Sequence, residues 1–289
     1  MRLTPRCPLR TGKYMRTRAT VAVATGALAL TALAVPAAQA DEQPSEKALR
    51  SALAAPFAAA PAGNGTFSSV SVNGGKPVVL GVSAVKTFNL TFKASDRDRV
   101  YDALPMLWRG GTADKPDFAY LTESKDGTAA CGQATTVTCK AKFTINPEHL
   151  FLNDAAGTHN VALASVDFNG SITRKDKAKT FFLQRASKLS VDAAPEPVEK
   201  GESLTVKGTL SRANWETLTY QGYTNQPVKL QFRKSGSKTY TTLKTVTTDS
   251  KGKLSTTVKA TSDGVYRYSF AGTTTTQAMN AVGDTVDVK

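Results

Sequence analysis

From Thr66 onward, apolar side chains recur at every second position in short runs, and turn residues separate the runs. Phe88, Leu90 and Phe92 alternate with Asn89, Thr91 and Lys93. Leu104, Met106 and Trp108 share one parity, and Val137, Cys139, Ala141, Phe143 and Ile145 alternate with Thr138, Lys140, Lys142 and Thr144. A period of two is that of an extended strand with one buried face, and no stretch beyond Gly65 holds the 3.6-residue period of a helix. Asn73-Gly74-Gly75, Gly110-Gly111, Lys125-Asp126-Gly127 and Asn169-Gly170 supply the turns. At about 8 to 12 residues per strand and turn, seven or eight strands fit between Thr66 and Arg185. This pattern predicts an antiparallel β-sandwich.

The same grammar restarts at Ser187. Leu204, Val206 and Leu210 share one parity, Val228, Leu230 and Phe232 alternate with polar residues, and so do Tyr266, Tyr268 and Phe270. Asp249-Ser250-Lys251-Gly252 reads as a hairpin turn. About 100 residues with about seven strands make one immunoglobulin-sized unit. The fold class is therefore all-β: two consecutive immunoglobulin-like antiparallel β-sandwiches, residues 66–186 and 187–289. Ser262-Asp263-Gly264-Val265-Tyr266 has the form of a tyrosine corner, and Ala156-Gly157-Thr158-His159 sits at the equivalent point of the first unit.

Ahead of the strands lies a different texture. Val21 to Ala40 carries no charge, follows Arg16 and Arg18, and ends Ala38-Gln39-Ala40. A basic start, an apolar stretch and a small-x-small end make a secretory signal peptide over residues 1–40, with Met15 as an alternative start. The run is Ala-rich and broken by Pro36, which argues for cleavage over a membrane anchor, so no span is expected after processing. Residues 41–65 read as an Ala/Pro-rich leader, with one short helical pattern at Ser45 to Leu53. The expected location is secreted, extracellular.

Removing residues 1–40 takes away six of the 37 basic residues and none of the 23 acidic ones, so the charge falls from +14 to +8. Residues 41–186 then hold 17 basic and 14 acidic residues, and residues 187–289 hold 14 and 9. Charge this dispersed argues against nucleic acid as a partner. Cys7 also leaves, and the even pair Cys131 and Cys139 reads as a short disulfide in an oxidising compartment. Cys139 shares the parity of Phe143 and Ile145, so the bridge is expected to pin a loop onto one core-facing strand.

Catalytic signals are absent from the sequence. Only His149 and His159 exist, no nucleophile elbow, zinc-protease or phosphate-loop motif occurs, and His159 reads as the corner residue of the first unit. The best acidic constellation is Ser95-Asp96-Arg97-Asp98-Arg99-Val100-Tyr101-Asp102, where Asp96, Asp98 and Asp102 offer oxygens to calcium. Arg97 and Arg99 offer the simpler alternative of pairing with those aspartates. Trp215, Tyr220 and Tyr223 lie in one long connection. They are read first as packing over an open end of the core, and alternatively as a ligand platform. Trp108 is read as core.

The second unit also resembles a known group. Ser187-Lys188-Leu189, Pro195-Glu196-Pro197-Val198, Leu204-Thr205-Val206-Lys207-Gly208, Arg212-Ala213-Asn214-Trp215, Val228-Lys229-Leu230-Gln231-Phe232-Arg233, Tyr240-Thr241-Thr242 and Gly272-Thr273-Thr274 are similar to secreted two-domain immunoglobulin-like proteins of actinobacteria, chiefly streptomycetes. Such proteins are often labelled calcium-binding without a defined site. The resemblance implies an acidic loop after the second strand, which here is interrupted by Arg97 and Arg99. Together the readings give a secreted, non-enzymatic binding or cell-envelope-associated protein. The alternatives are a calcium-binding protein using Asp96, Asp98 and Asp102, and a polysaccharide-recognition module using Trp215, Tyr220 and Tyr223. Expected partners are a cell-wall polymer, a polysaccharide or another extracellular protein, with no cofactor unless calcium.

Overall fold

Eight strands build the first of two stacked-sheet structures in the computed structural model, which describes residues 62–289. The expected signal peptide and nearly all of the leader lie outside those residues. The strands are β1 (Thr66–Val72), β2 (Val78–Leu80), β3 (Lys86–Ser95), β4 (Val100–Arg109), β5 (Phe118–Tyr120), β6 (Thr136–Ile145), β7 (Gly157–Asp167) and β8 (Ile172–Arg185). One sheet runs β1-β3-β6 and the other β2-β8-β7-β4-β5. Phe88, Leu90, Phe92, Cys139 and Phe143 of the first sheet meet Leu107, Val161, Leu163 and Leu183 of the second in one buried core. The period-2 runs therefore bury the face that the alternation marks.

Two local features depart from a simple antiparallel sandwich. The chain leaves β1 through Asn73-Gly74-Gly75, whose φ angles of 50°, 63° and 81° lie in the left-handed region. It crosses to the opposite sheet, where β2 pairs parallel to β8 with Val78 opposite Leu183. Strand β4 is covered on both faces. Ala103 and Leu107 point into the main core, whereas Leu104 and Trp108 are buried on the outer side, Leu104 with Val166 and Trp108 with Ala113 and Ala162. Trp108 is thus buried as expected, but beneath the 110–117 loop and not between the sheets. Its Nε1 donates to the Asp176 carbonyl at 2.8 Å.

The second sandwich is built from β9 (Ser187–Leu189), β10 (Asp192–Ala194), β11 (Ser203–Asn214), β12 (Thr219–Gly222), β13 (Pro227–Lys234), β14 (Thr241–Thr247), β15 (Lys253–Lys259), β16 (Gly264–Phe270), β17 (Met279–Asn280) and β18 (Asp284–Val286). Strand β11 pairs with β9, β10, β12 and β15, and β14-β13-β16 continues to β17 and β18. Leu204, Val206 and Leu210 pack on Val228, Leu230, Tyr266, Tyr268 and Phe270. The turn 249–252 does join β14 to β15, but not as the expected hairpin: β14 pairs with β13 and β15 with β11, so the chain crosses here from one sheet to the other. Asp249 accepts from the amides of Lys251 and Lys253, both at 2.8 Å, and Gly252 takes a φ of 78°. The tyrosine-corner expectation needs correction. Tyr268, not Tyr266, donates its hydroxyl to backbone, the Val206 carbonyl on the facing sheet at 2.9 Å. Tyr266 is buried against Phe232, with ring centroids 4.8 Å apart.

The disulfide is formed between Cys131 and Cys139, with Cα atoms 4.3 Å apart. Ala130 and Lys140 exchange both backbone hydrogen bonds beside it, at 2.8 and 2.9 Å. The loop before β6 is thereby stitched to the strand that carries buried Cys139.

Candidate functional site

The acidic loop folds at one end of the first sandwich. Strand β3 ends at Ser95, and four residues reach β4. Asp96 and Val100 anchor the turn by donating their amides to Thr135 and Ala134 carbonyls at 2.9 Å each. Asp96 Oδ1 accepts from the Asp98 amide at 3.0 Å, and Arg99 closes the turn with a φ of 66°. Strand β7 ends beside it at Asp167, whose Oδ1 accepts from the amides of Asn169 and Ser171 at 2.8 Å each.

This arrangement brings Asp96, Asp98 and Asp167 together, with one carboxylate oxygen of each within 4.8 Å of the others. Asp96 and Asp167 are buried and Asp98 is exposed. Asp102, expected from its spacing, is not in this group. A bulge in the pairing of β4 with β7 sets Val100 opposite Asp167 and Asp102 opposite Val166. Asp102 instead accepts from the Ala103 amide at 2.7 Å. The expectation that Arg97 and Arg99 pair with the aspartates also fails for Arg99. Its guanidinium lies 4.6 Å over the Phe168 ring and donates to the Gln133 carbonyl at 3.1 Å.

The donor set suits a hard cation. Calcium takes carboxylate and carbonyl oxygens in a flexible shell of about 6 to 8 ligands. Two buried carboxylates this close, with no ion pair to them among the described residues, are costly unless a positive charge joins them. Gly65 passes over the group: a Cβ there would meet Asp96 Oδ2 at 2.8 Å and Thr173 Oγ1 at 2.7 Å. The bare backbone leaves room beside those two oxygens that a side chain would take.

The aromatic cluster lies where the two sandwiches touch. Trp215 is 1% exposed and belongs to the core of the first sandwich, although its own strands lie in the second. Its Nε1 donates to the Gly81 carbonyl at 2.9 Å, and its amide donates to Asn153 Oδ1 at 3.0 Å. Asn153 Nδ2 donates to Asn214 Oδ1 at 3.0 Å, and Arg185 Nε donates to the Ala213 carbonyl. Tyr220 carries Lys188 Nζ 3.9 Å above its ring, and Tyr223 carries Arg212 3.8 Å above its own while it packs edge-on to Phe270. A ligand platform on Trp215, Tyr220 and Tyr223 is therefore corrected to a packed junction. Trp215 is sealed, and both tyrosine rings already hold a cation.

His159 is fully buried between Tyr120 and Phe181, with ring centroids 5.7 and 5.4 Å away. Burial and the charge of Arg109 pull its pKa down to about 4, against the backbone bond to Gly157 that raises it. Burial pushes the Tyr120 hydroxyl up to about 12. Sequence reading missed Asp167, Arg109 and Tyr120. The turn signal Asn169-Gly170 marked the neighbourhood of Asp167, but its pairing with Asp96 exists only once β7 lies beside β4. Among the described residues, no helix is long and apolar enough to cross a membrane.

No protein-family model matches the sequence, and no curated protein does. Solved structures to which the chain shows similarity include a tetra-tandem repeat from the extending region of a large adhesion protein, at 16% identity and a TM-score of 0.28, covering 78% of this chain and 50% of that one. The D00-D0 domain of intimin matches at 12% identity and a TM-score of 0.26, covering 75% and 98%. Three N-terminal domains of the bacteriophage RB49 outer capsid protein Hoc match at 10% identity and a TM-score of 0.30, covering 78% and 70%. This chain thus spans half the length of the adhesion-protein repeat.

Proposed function

We propose that this chain is a secreted, non-enzymatic binding protein that acts at or near the cell envelope, with the outer face of the β1-β3-β6 sheet as its contact surface. One observation carries the reading. On that face Thr87, Asn89, Thr91 and Lys93 of β3 stand opposite Thr144, Lys142, Lys140 and Thr138 of β6. The row presents hydroxyls and ammonium groups on a hydrogen-bonded sheet. Thr87 and Thr144 hydroxyls are 2.8 Å apart, and those of Ser95 and Thr136 are 3.0 Å apart, so these four hydroxyls are held in place before any partner arrives. Glu123 holds Lys142 at 2.7 Å, while Lys93 and Lys140 make no ion pair among the described residues. Spaced cations amid hydroxyls fit a repeating anionic polymer of the cell wall.

Cosedimentation of the secreted protein with purified cell walls tests this. The expected result is binding that weakens as salt rises and is largely lost in the double variant Lys93→Glu, Lys140→Glu. Binding that ignores both salt and charge reversal sinks the proposal, and would favour a neutral polysaccharide or a protein partner.

A second reading is a calcium site at the end of the first sandwich. The meeting of Asp96, Asp98 and Asp167 supports it, since the donors are all hard oxygens and two are buried without a cationic partner. Calorimetric titration with calcium decides it. Heat that disappears in Asp98→Asn supports the site, and no heat, or heat that this change leaves intact, removes it.

A further inference from the structure

Three buried polar atoms without a hydrogen-bond partner among the described residues are Arg109 Nη1, Tyr120 Oη and His159 Nε2. They share one end of the first sandwich. Arg109 is the last residue of β4, and β5 sets Tyr120 opposite Leu107 and Phe118 opposite Arg109. Strand β7 sets Asn160 opposite Trp108, which brings its neighbour His159 alongside Arg109. The His159 and Tyr120 rings are 5.7 Å apart. Gly157 closes the group: a Cβ there would lie 3.3 Å from Arg109 Cζ, and its carbonyl lies 3.2 Å from His159 Nδ1.

The polarity of each atom narrows what fits between them. The Gly157 carbonyl only accepts, so Nδ1 of a neutral His159 carries the proton and Nε2 presents a lone pair. Arg109 Nη1 only donates, and the Tyr120 hydroxyl does either. An anion accepts from Arg109 but cannot itself donate to His159 Nε2. A cation would face Arg109. A hydroxyl both accepts and donates. The three atoms are sealed from solvent, which limits the hydroxyl to the smallest one. Internal waters typically make about three hydrogen bonds to buried groups that otherwise have none.

We propose that one internal water molecule binds here, accepting from Arg109 Nη1, donating to His159 Nε2 and bonding Tyr120 Oη as its third partner. It ties β4, β5 and β7 together where β5, three residues long, pairs with β4 alone.

Long-range proton–nitrogen NMR of the wild-type protein reads the tautomer of His159, and water-selective Overhauser spectra read a slowly exchanging water at the same ring. The expected result is an Nδ1-protonated His159 with a long-lived water contact, and a residence time about fivefold shorter in Tyr120→Phe, which is what losing one net hydrogen bond is worth. An Nε2-protonated ring, or the right tautomer with no long-lived water beside it, overturns the proposal. Both readings come from the unaltered protein, so misfolding of the variant would not rescue it.

Discussion

Trp215 Nε1 and the Gly81 carbonyl, 2.9 Å apart and 134 positions apart in the chain, join the two sandwiches. The indole is a second-sandwich residue completing the first-sandwich core, with Ala213 beside it. Its hydrogen bond satisfies a polar atom that burial would otherwise strand.

Replacing Trp215 with Ala is therefore expected to destabilise the first sandwich by about 3 to 5 kcal/mol, the range for large aromatics removed from a core. Urea unfolding followed by a probe in each sandwich checks this. The first-sandwich transition should move to lower urea and separate from the second. Coincident transitions at the wild-type midpoint would mean that the indole contributes little to the junction.

His159 makes stability depend on acid. Its folded pKa, about 4, lies below the ordinary value of 6.5. The unfolded chain therefore binds the proton first as pH falls. The contribution is fully present above about pH 6.5, declines through the interval, and is spent near pH 4, a total of about 3 kcal/mol. Unfolding free energies measured from pH 7 to pH 4 should fall, and the slope should flatten in His159→Phe. An unchanged slope in that variant would assign the acid sensitivity elsewhere.

How far such features are legible in sequence depends on the range over which they act. The runs at Phe88–Phe92 and Val137–Ile145 announce strands because one face of each packs on the opposite sheet, and a period of two follows from that alone. Cys139 was readable for the same reason. Trp108 reads correctly as buried but on the wrong face, because β4 is covered on both sides and parity then loses its meaning. Trp215 looks like a loop aromatic since nothing near it in sequence names Gly81. Asp102 follows from spacing, but the bulge that displaces it and the arrival of Asp167 are properties of the β4–β7 pairing.

The Cys131–Cys139 bridge closes a loop of sequence separation 8, for which chain entropy gives about 2.5 kcal/mol of stabilisation at 25 °C. Because Cys139 lies fully within the core, reduction probes the bridge more cleanly than substitution. Thermal unfolding under reductant is expected to show the first sandwich melting lower by several degrees, at about 2 to 4 °C per kcal/mol for a chain of this size. The Cys139→Ser variant should lose more, since it also buries a hydroxyl in place of sulfur. A melting temperature indifferent to reductant would show that the loop before β6 is held by its hydrogen bonds to Lys140, Asp96, Val100 and Arg99 without need of the bridge.

Asp102 and Asp167 separate the calcium reading from its sequence-based form. If calcium binds where the carboxylates meet, it stabilises the folded state by mass action, about 2.7 kcal/mol at a hundredfold excess over the dissociation constant. Asp167→Asn removes one converging oxygen and also weakens the acceptor for the Asn169 and Ser171 amides. The variant should melt lower without calcium and show little further response to it. Asp102→Asn touches a side chain outside the group, bonded to the Ala103 amide. It should keep the full calcium response. Melting curves with calcium and with chelator on the two variants give four values. A calcium shift lost in Asp102→Asn and kept in Asp167→Asn would place the ion on the acidic loop alone.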